Sequence, residues 1–243
     1  MRISRLYVSV PLNVGGQIEL DADAAHYVRN VLRLQKEHRL ALFNGQGGEY
    51  PCRLLEVSRK SVRLQIEQHV DRDVESPLEV RLGMGISRGD RMDWAVQKAV
   101  ELGVTHLTPL LTERCAIKFN DDKRRQRLQH WQGIIQHAAE QSGRTRLPEL
   151  DEIDNLSDWV MRQKGLCVYL DPFAEQTLSV LRTPDSRVTL LSGPEGGFCD
   201  QERQMAKAAG FVPARMGARI LRTETAVLSA LAAVQTLWGD FRE

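Results

Sequence analysis

From Leu78 onward, short apolar runs alternate with segments of helical period, and this alternation limits the fold more tightly than any other feature of the chain. Residues 80–86 read as a strand, and Asp90 caps a helix in which Met92, Ala95, Val96 and Ala99 recur at helical spacing until Gly103 ends it. A strand over 107–111 is followed by a long helix over 122–142. Leu128, Trp131, Ile135 and Ala138 line one side of that helix, and Gly143 terminates it. Strands over 166–170 and 188–191 come next, and an apolar helix starts near Glu224. Such alternation predicts an α/β fold, a mainly parallel sheet covered by helices on both faces. Ligands bind such sheets at the carboxyl ends of the strands.

Residues 1–73 follow a different rhythm. Strand candidates over 6–10, 17–20, 40–43, 50–57 and 61–66 are punctuated by Gly, Asn and Asp, and one helix runs from Asp21 or Asp23 to about Arg33. This pattern predicts a compact β-barrel. The polar stretch from Asp71 to Pro77 suits a linker, so the chain divides into domains 1–73 and 74–243. Lys and Arg total 33 against 32 Asp and Glu, so attraction to nucleic acid must come from local patches. Cys52, Cys115, Cys167 and Cys199 are scattered without a CxxC pair and read as reduced thiols. No stretch has the apolar length of a membrane span or a secretory signal, and a cytoplasmic location is expected.

Two loops stand where the carboxyl-end rule puts a ligand. Residues 187–191 form an apolar strand that breaks into Ser192-Gly193-Pro194-Glu195-Gly196-Gly197-Phe198, a glycine-rich turn bearing one carboxylate. Residues 216–223, Met-Gly-Ala-Arg-Ile-Leu-Arg-Thr, lead directly into the C-terminal helix. Neither loop matches the dinucleotide or phosphate-loop fingerprint. No G-x-S-x-G elbow marks a nucleophile, and the six histidines lack metal-ligand spacing, so no metal is expected. Between Lys118 and Arg146 the basic residues Lys118, Lys123, Arg124, Arg125, Arg127, Arg144 and Arg146 outnumber Asp121, Asp122 and Glu140, a face suited to a polyphosphate. Arg88, Arg91 and Lys98 add to it, the last two sharing one helix face. The four tryptophans read as packing residues.

Five ordered segments together resemble the SPOUT class of S-adenosylmethionine-dependent RNA methyltransferases, and within it the RsmE family of ribosomal RNA uridine-N3 methyltransferases. They are 91–103 (RMDWAVQKAVELG), 112–115 (TERC), 137–144 (HAAEQSGR), 193–197 (GPEGG) and 216–228. Cys115 stands where serine is more frequent in the family, and Arg88 where lysine is. The resemblance implies a C-terminal trefoil knot, an exception to the rule against knotted chains, joined to a PUA-like RNA-binding domain. It implies that Leu170, Gly193, Pro194, Glu195, Gly196, Gly197, Met216, Gly217, Ile220, Leu221 and Thr223 hold S-adenosylmethionine. It also implies a homodimer, with the helix from Ala226 to Trp238 as interface candidate. The substrate it implies is 16S ribosomal RNA within the small subunit, at uridine 1498 in the usual ribosomal RNA numbering.

The chemistry of that substrate assigns expected roles. Uridine N3 must lose a proton, and the charge then spreads over two carbonyl oxygens. Arg222 or Arg144 is expected to supply the stabilising field, with Glu195 or solvent taking the proton. Arg88, Arg91, Lys98, Glu113, Arg114, Lys123, Arg124, Gln141 and Arg144 are expected to contact RNA. The competing readings are a non-catalytic RNA-binding protein, a SPOUT methyltransferase with another RNA acceptor, and a nucleotide-dependent oxidoreductase. The two intact loops oppose the first, and the missing dinucleotide fingerprint opposes the last.

Overall fold

The computed structural model describes residues 3–115, 120–182 and 185–242. Two compact units emerge, one formed by the chain up to Glu75 together with Ala139–Leu147, the other by Ser76–Ala138 and the chain from Pro148 onward.

The first unit contains β1 (Arg5–Tyr7), β2 (Gln17–Glu19), α1 (Ala22–His26), β3 (Arg39–Phe43), β4 (Tyr50–Val57) and β5 (Val62–Ile66), with the strands ordered β1-β3-β4-β5-β2. Alternation sends Val62, Leu64 and Ile66 of β5 inward against Leu40, Leu42 and Leu54. Burial of each such side chain contributes about 1.5–3 kcal/mol. The Asp21 carboxylate accepts the Ala24 amide at 2.8 Å and starts α1. The helix expected to continue to Arg33 changes after His26 into a π-helical turn, Tyr27–Val31, in which the Leu32 amide reaches back to the Tyr27 carbonyl. A left-handed φ of 52° at Arg33 then stops it. Residues 139–147 lie in this unit through buried charges. Arg5 donates to Glu49 and to the Ala139 and Arg144 carbonyls, while Arg144 forks onto Glu75.

The second unit alternates as expected: β6 (Glu79–Gly85), α2 (Asp90–Glu101), β7 (His106–Leu111), α3 (Asp121–Ser142), β8 (Glu149–Leu150), β9 (Asp154–Asn155), α4 (Leu156–Met161), β10 (Leu166–Leu170), β11 (Arg187–Ser192), α5 (Asp200–Ala208), β12 (Val212–Ala214) and α6 (Thr223–Trp238). The last turn of α3 counts with the first unit. The strands are ordered β12-β10-β11-β6-β7-β8, with β9 also on β7, and every ladder is parallel. β8, β9 and β12 are two or three residues long. That is too short for hydrophobic period to reveal them.

Residues 188–192 of β11 are buried without interruption, as a central parallel strand requires. Beyond β12, Arg215 donates its amide to the Gln176 carbonyl at 3.0 Å and its guanidinium to the Ala174 and Glu175 carbonyls. α6 then packs on α2, on β11 and on the 3-10 turn Leu178–Val180. The C-terminal segment thus lies against the connection from β10 to β11, the two stretches that a trefoil crossing brings together.

Candidate active site

The carboxyl ends of β10, β11 and β12 open into a cavity of about 520 Å³. This is within the roughly 300–1,000 Å³ usual for small-molecule sites. Leu170 to Phe173 form one wall, Ser192 to Phe198 a second, and Met216 with Arg219 to Thr223 a third. Of the residues expected at a cofactor, all but Gly217 line the cavity; Gly217, at φ 84°, lies within the third wall's bend.

The glycine-rich wall is shaped by close approach. A Cβ on Gly193 would lie 3.3 Å from the Gly197 backbone and the Phe198 ring, and Gly197 adopts φ 65° while donating its amide to the Pro194 carbonyl. On β6, a Cβ on Gly85 would stand 2.5 Å from Pro194 Cδ and 2.6 Å from its nitrogen. The strand therefore needs glycine where the loop crosses it. Phe198 meets Tyr169 edge-on at 6.4 Å, and Arg114 Nη1 donates to the Gly196 carbonyl at 2.7 Å. The third wall is built differently. Among the described residues, the amides of Gly217 through Leu221 donate no hydrogen bond, so backbone donors stand free beside the cavity.

Five arginines line the cavity, Arg91, Arg114, Arg203, Arg219 and Arg222, against the carboxylates of Asp171 and Glu195. Glu195 Oε1 accepts from the Arg88 amide at 2.9 Å and from Arg91 Nη1 at 3.3 Å. Partial burial opposes its ionisation. Backbone amides and the Arg91 charge outweigh that effect and hold the carboxyl below the usual carboxylate range. Its support of the loop is therefore full above that range and is lost only as pH falls through the lowered pKa. Arg203 Nη1 grips Asp171 Oδ2 at 2.8 Å. Arg222 occupies the N-cap of α6 with its side chain exposed, and among the described residues that side chain makes no hydrogen bond or ion pair.

The remaining expected residues lie away from the cavity wall. Arg88 reaches Glu195 through its backbone, and Lys98 pairs with Glu101 at 2.7 Å. The Glu113 amide donates to Glu202. Lys123 and Arg124 lie on the first turn of α3, and Gln141 and Arg144 belong to the first unit. Arg144 is 5% exposed and held by Glu75. Lys118 falls outside the described residues. Trp131 and Trp159 are buried as expected, whereas Trp94 is 59% exposed on α2, so its position in an apolar helical pattern did not reveal its facing. Asp171, Phe173, Arg203 and Arg219 were not expected at the site. Asp171 and Phe173 directly follow Leu170, so the carboxyl-end rule alone would have found them. Arg203, on α5, carries no sequence signal of its position.

A parallel sheet whose C-terminal segment lies against an inter-strand connection, with a cavity walled by two glycine-bearing loops, is the architecture of an RNA methyltransferase of the SPOUT type. Residues 74–235 match the model of an RNA methyltransferase domain, and residues 20–67 that of an RNA methyltransferase PUA domain. Ribosomal RNA small subunit methyltransferase E of Buchnera aphidicola subsp. Schizaphis graminum is 34% identical over 98% of this chain and 98% of its own. The same-named enzyme of Neisseria gonorrhoeae, solved bound to S-adenosyl methionine, superposes with a TM-score of 0.92 at 37% identity over 99% of this chain and all of that one. A Legionella pneumophila protein solved in complex with SAM gives a TM-score of 0.96 at 37% identity over 99% and 100%. The chain belongs to the RsmE family of RNA methyltransferases.

Proposed function

We propose that the protein transfers a methyl group from S-adenosylmethionine to N3 of a uridine in 16S ribosomal RNA, uridine 1498 in the usual numbering, acting on the small ribosomal subunit as a cytoplasmic homodimer. The observation that carries this reading is the cavity itself, where the glycine-rich wall and the hydrogen-bond-free bend meet at the strand ends. Its residues fit the cofactor: Leu170, Pro194, Ile220 and Leu221 supply apolar surface, and the unbonded amides of Arg219, Ile220 and Leu221 supply donors for polar edges. S-adenosylmethionine, when bound, supplies an electrophilic sulfonium methyl. The chain must then align the acceptor and stabilise the charge left on its carbonyl oxygens.

Arg222 suits that second task because it lines the cavity and its exposed side chain has no carboxylate partner among the described residues. Arg144 suits it less, since Glu75 already neutralises it. Glu195 is a weak proton acceptor, held ionised by the groups that fix the loop, so solvent is the proton's destination. N3 lies on the Watson–Crick edge, and the target base must be unpaired when it reacts.

Incubation with methyl-labelled S-adenosylmethionine and small subunits lacking the modification is expected to place label in 3-methyluridine, read by nucleoside mass mapping. Label in another nucleoside would overturn the acceptor. No label despite cofactor binding would overturn the substrate. A Gly85→Ala substitution is expected to push Pro194 aside, weakening cofactor affinity at least tenfold in calorimetric titration and costing about 1–3 kcal/mol of stability. Unchanged affinity would show that the glycine-rich wall does not hold the cofactor.

A further inference from the structure

Among the described residues, the two most exposed large apolar side chains are Ile220, 74% exposed, and Phe173, 73% exposed, and both line the same cavity. Single exposed apolar residues are ordinary on a protein surface. Phe173 differs because the chain around it is fixed. Asp171, 8% exposed, accepts the Phe173 amide on Oδ1 at 3.0 Å and the Arg203 guanidinium on Oδ2 at 2.8 Å. Its carbonyl accepts the Ala174 amide, and its own amide donates to Ala214 of β12. Arg203 also donates from Nε to the Phe198 carbonyl at 3.3 Å, and its guanidinium carbon stands 6.0 Å from the centre of the Phe173 ring. A largely buried carboxylate thus fixes the Phe173 backbone, and Arg203 stands beside its exposed ring at the edge of the cavity. A ring presented to solvent from a fixed backbone offers its face to a planar partner.

We propose that Phe173 is the stacking platform for an RNA base at the acceptor site, positioned by Asp171 and Arg203. The inference rests on the RNA methyltransferase reading above and names a residue that receives the unpaired base. Three observations favour an RNA base over other planar partners. The ring stands exposed, so it faces a molecule arriving from solvent. Arg219 and Arg222 line the same cavity, exposed and without carboxylate partners among the described residues, and provide cations for the flanking phosphates. Aromatic faces accept any base, and the Arg203 cation stands within 6.0 Å of the ring centre.

The test compares wild type, Phe173→Leu and Phe173→Tyr in three measurements: S-adenosylmethionine affinity by calorimetry, kcat and KM on unmodified small subunits, and mass in solution. Phe173→Leu is expected to lower kcat/KM by about tenfold or more, as loss of one stacked base does, while cofactor affinity stays within about twofold. Phe173→Tyr, which keeps the ring, is expected to restore the rate. Full turnover in the leucine variant overturns the proposal. A parallel fall in cofactor affinity overturns it in favour of the cofactor's adenine, and a change in mass overturns it in favour of a subunit contact. Wild type that binds cofactor but labels no subunit RNA overturns the proposed substrate instead, so the two failures are distinct.

Discussion

Arg222→Ala is expected to lower turnover by about 10²–10³-fold, the usual effect of removing one preorganised donor from a developing oxyanion, while cofactor affinity changes little. Arg222 sits at the N-cap of α6 with φ −65° and ψ 155°, and the Ala226 amide bonds its carbonyl at 2.8 Å. Its backbone is thus held by the helix start, and its exposed side chain stands beside the cavity with no partner among the described residues. Every other cavity arginine except Arg219 already has a partner: Arg91 meets Glu195, Arg114 the Gly196 carbonyl, and Arg203 Asp171. A charge neutralised in the resting protein does less for a new anion than one that is not. Single-turnover rates on small subunits, measured beside calorimetric cofactor affinity, separate this effect from a binding defect. A rate equal to wild type would remove Arg222 from the chemistry. Arg222→Lys is expected to recover only part of the rate, because a point charge replaces a planar fork.

Glu75→Ala is expected to destabilise the first unit by about 3–5 kcal/mol, the cost of breaking a buried ion pair by removing its carboxylate. The Arg144 side chain is 6% exposed and that of Glu75 16%, and Arg144 Nε and Nη2 both donate to the carboxylate. Arg144 in turn offers its carbonyl to Arg5, which pairs with Glu49. Loss of Glu75 therefore takes the bidentate carboxylate from one buried cation and loosens the region holding a second. Urea unfolding followed by far-UV circular dichroism reads the shift. Arg144→Ala is expected to lower stability and turnover together. Loss of turnover at unchanged stability would return Arg144 to the acceptor site.

Hydrophobic period sufficed for the strands and helices whose faces are continuous, such as β6, α2, β11 and α6, because burial on a parallel sheet writes long apolar runs into the chain. It did not suffice for β12, which is three residues long and is held by pairing with β10. Nor did it show the π-helical turn after α1, where a one-residue change in hydrogen-bond register leaves the apolar spacing nearly unaltered. The glycine-rich loop was legible because glycine suits a tight backbone approach and a left-handed φ, as at Gly193 and Gly197. Resemblance to known sequences supplied the class of reaction that spacing alone left open.

What the sequence determined by itself was the alternation, the two loops and their place at strand ends, since each depends on contacts between near neighbours or on the absence of a side chain. Only the tertiary structure decided which charges are available. Arg144 and Arg222 are equivalent in the sequence, each an arginine beside a helix end. Folding buries one against Glu75, seventy residues away or nearly so in the chain, and leaves the other facing the cavity. Phe173 and Trp94 are exposed for the same reason: whether a neighbour covers a ring depends on segments distant in sequence, and no local pattern records their arrival.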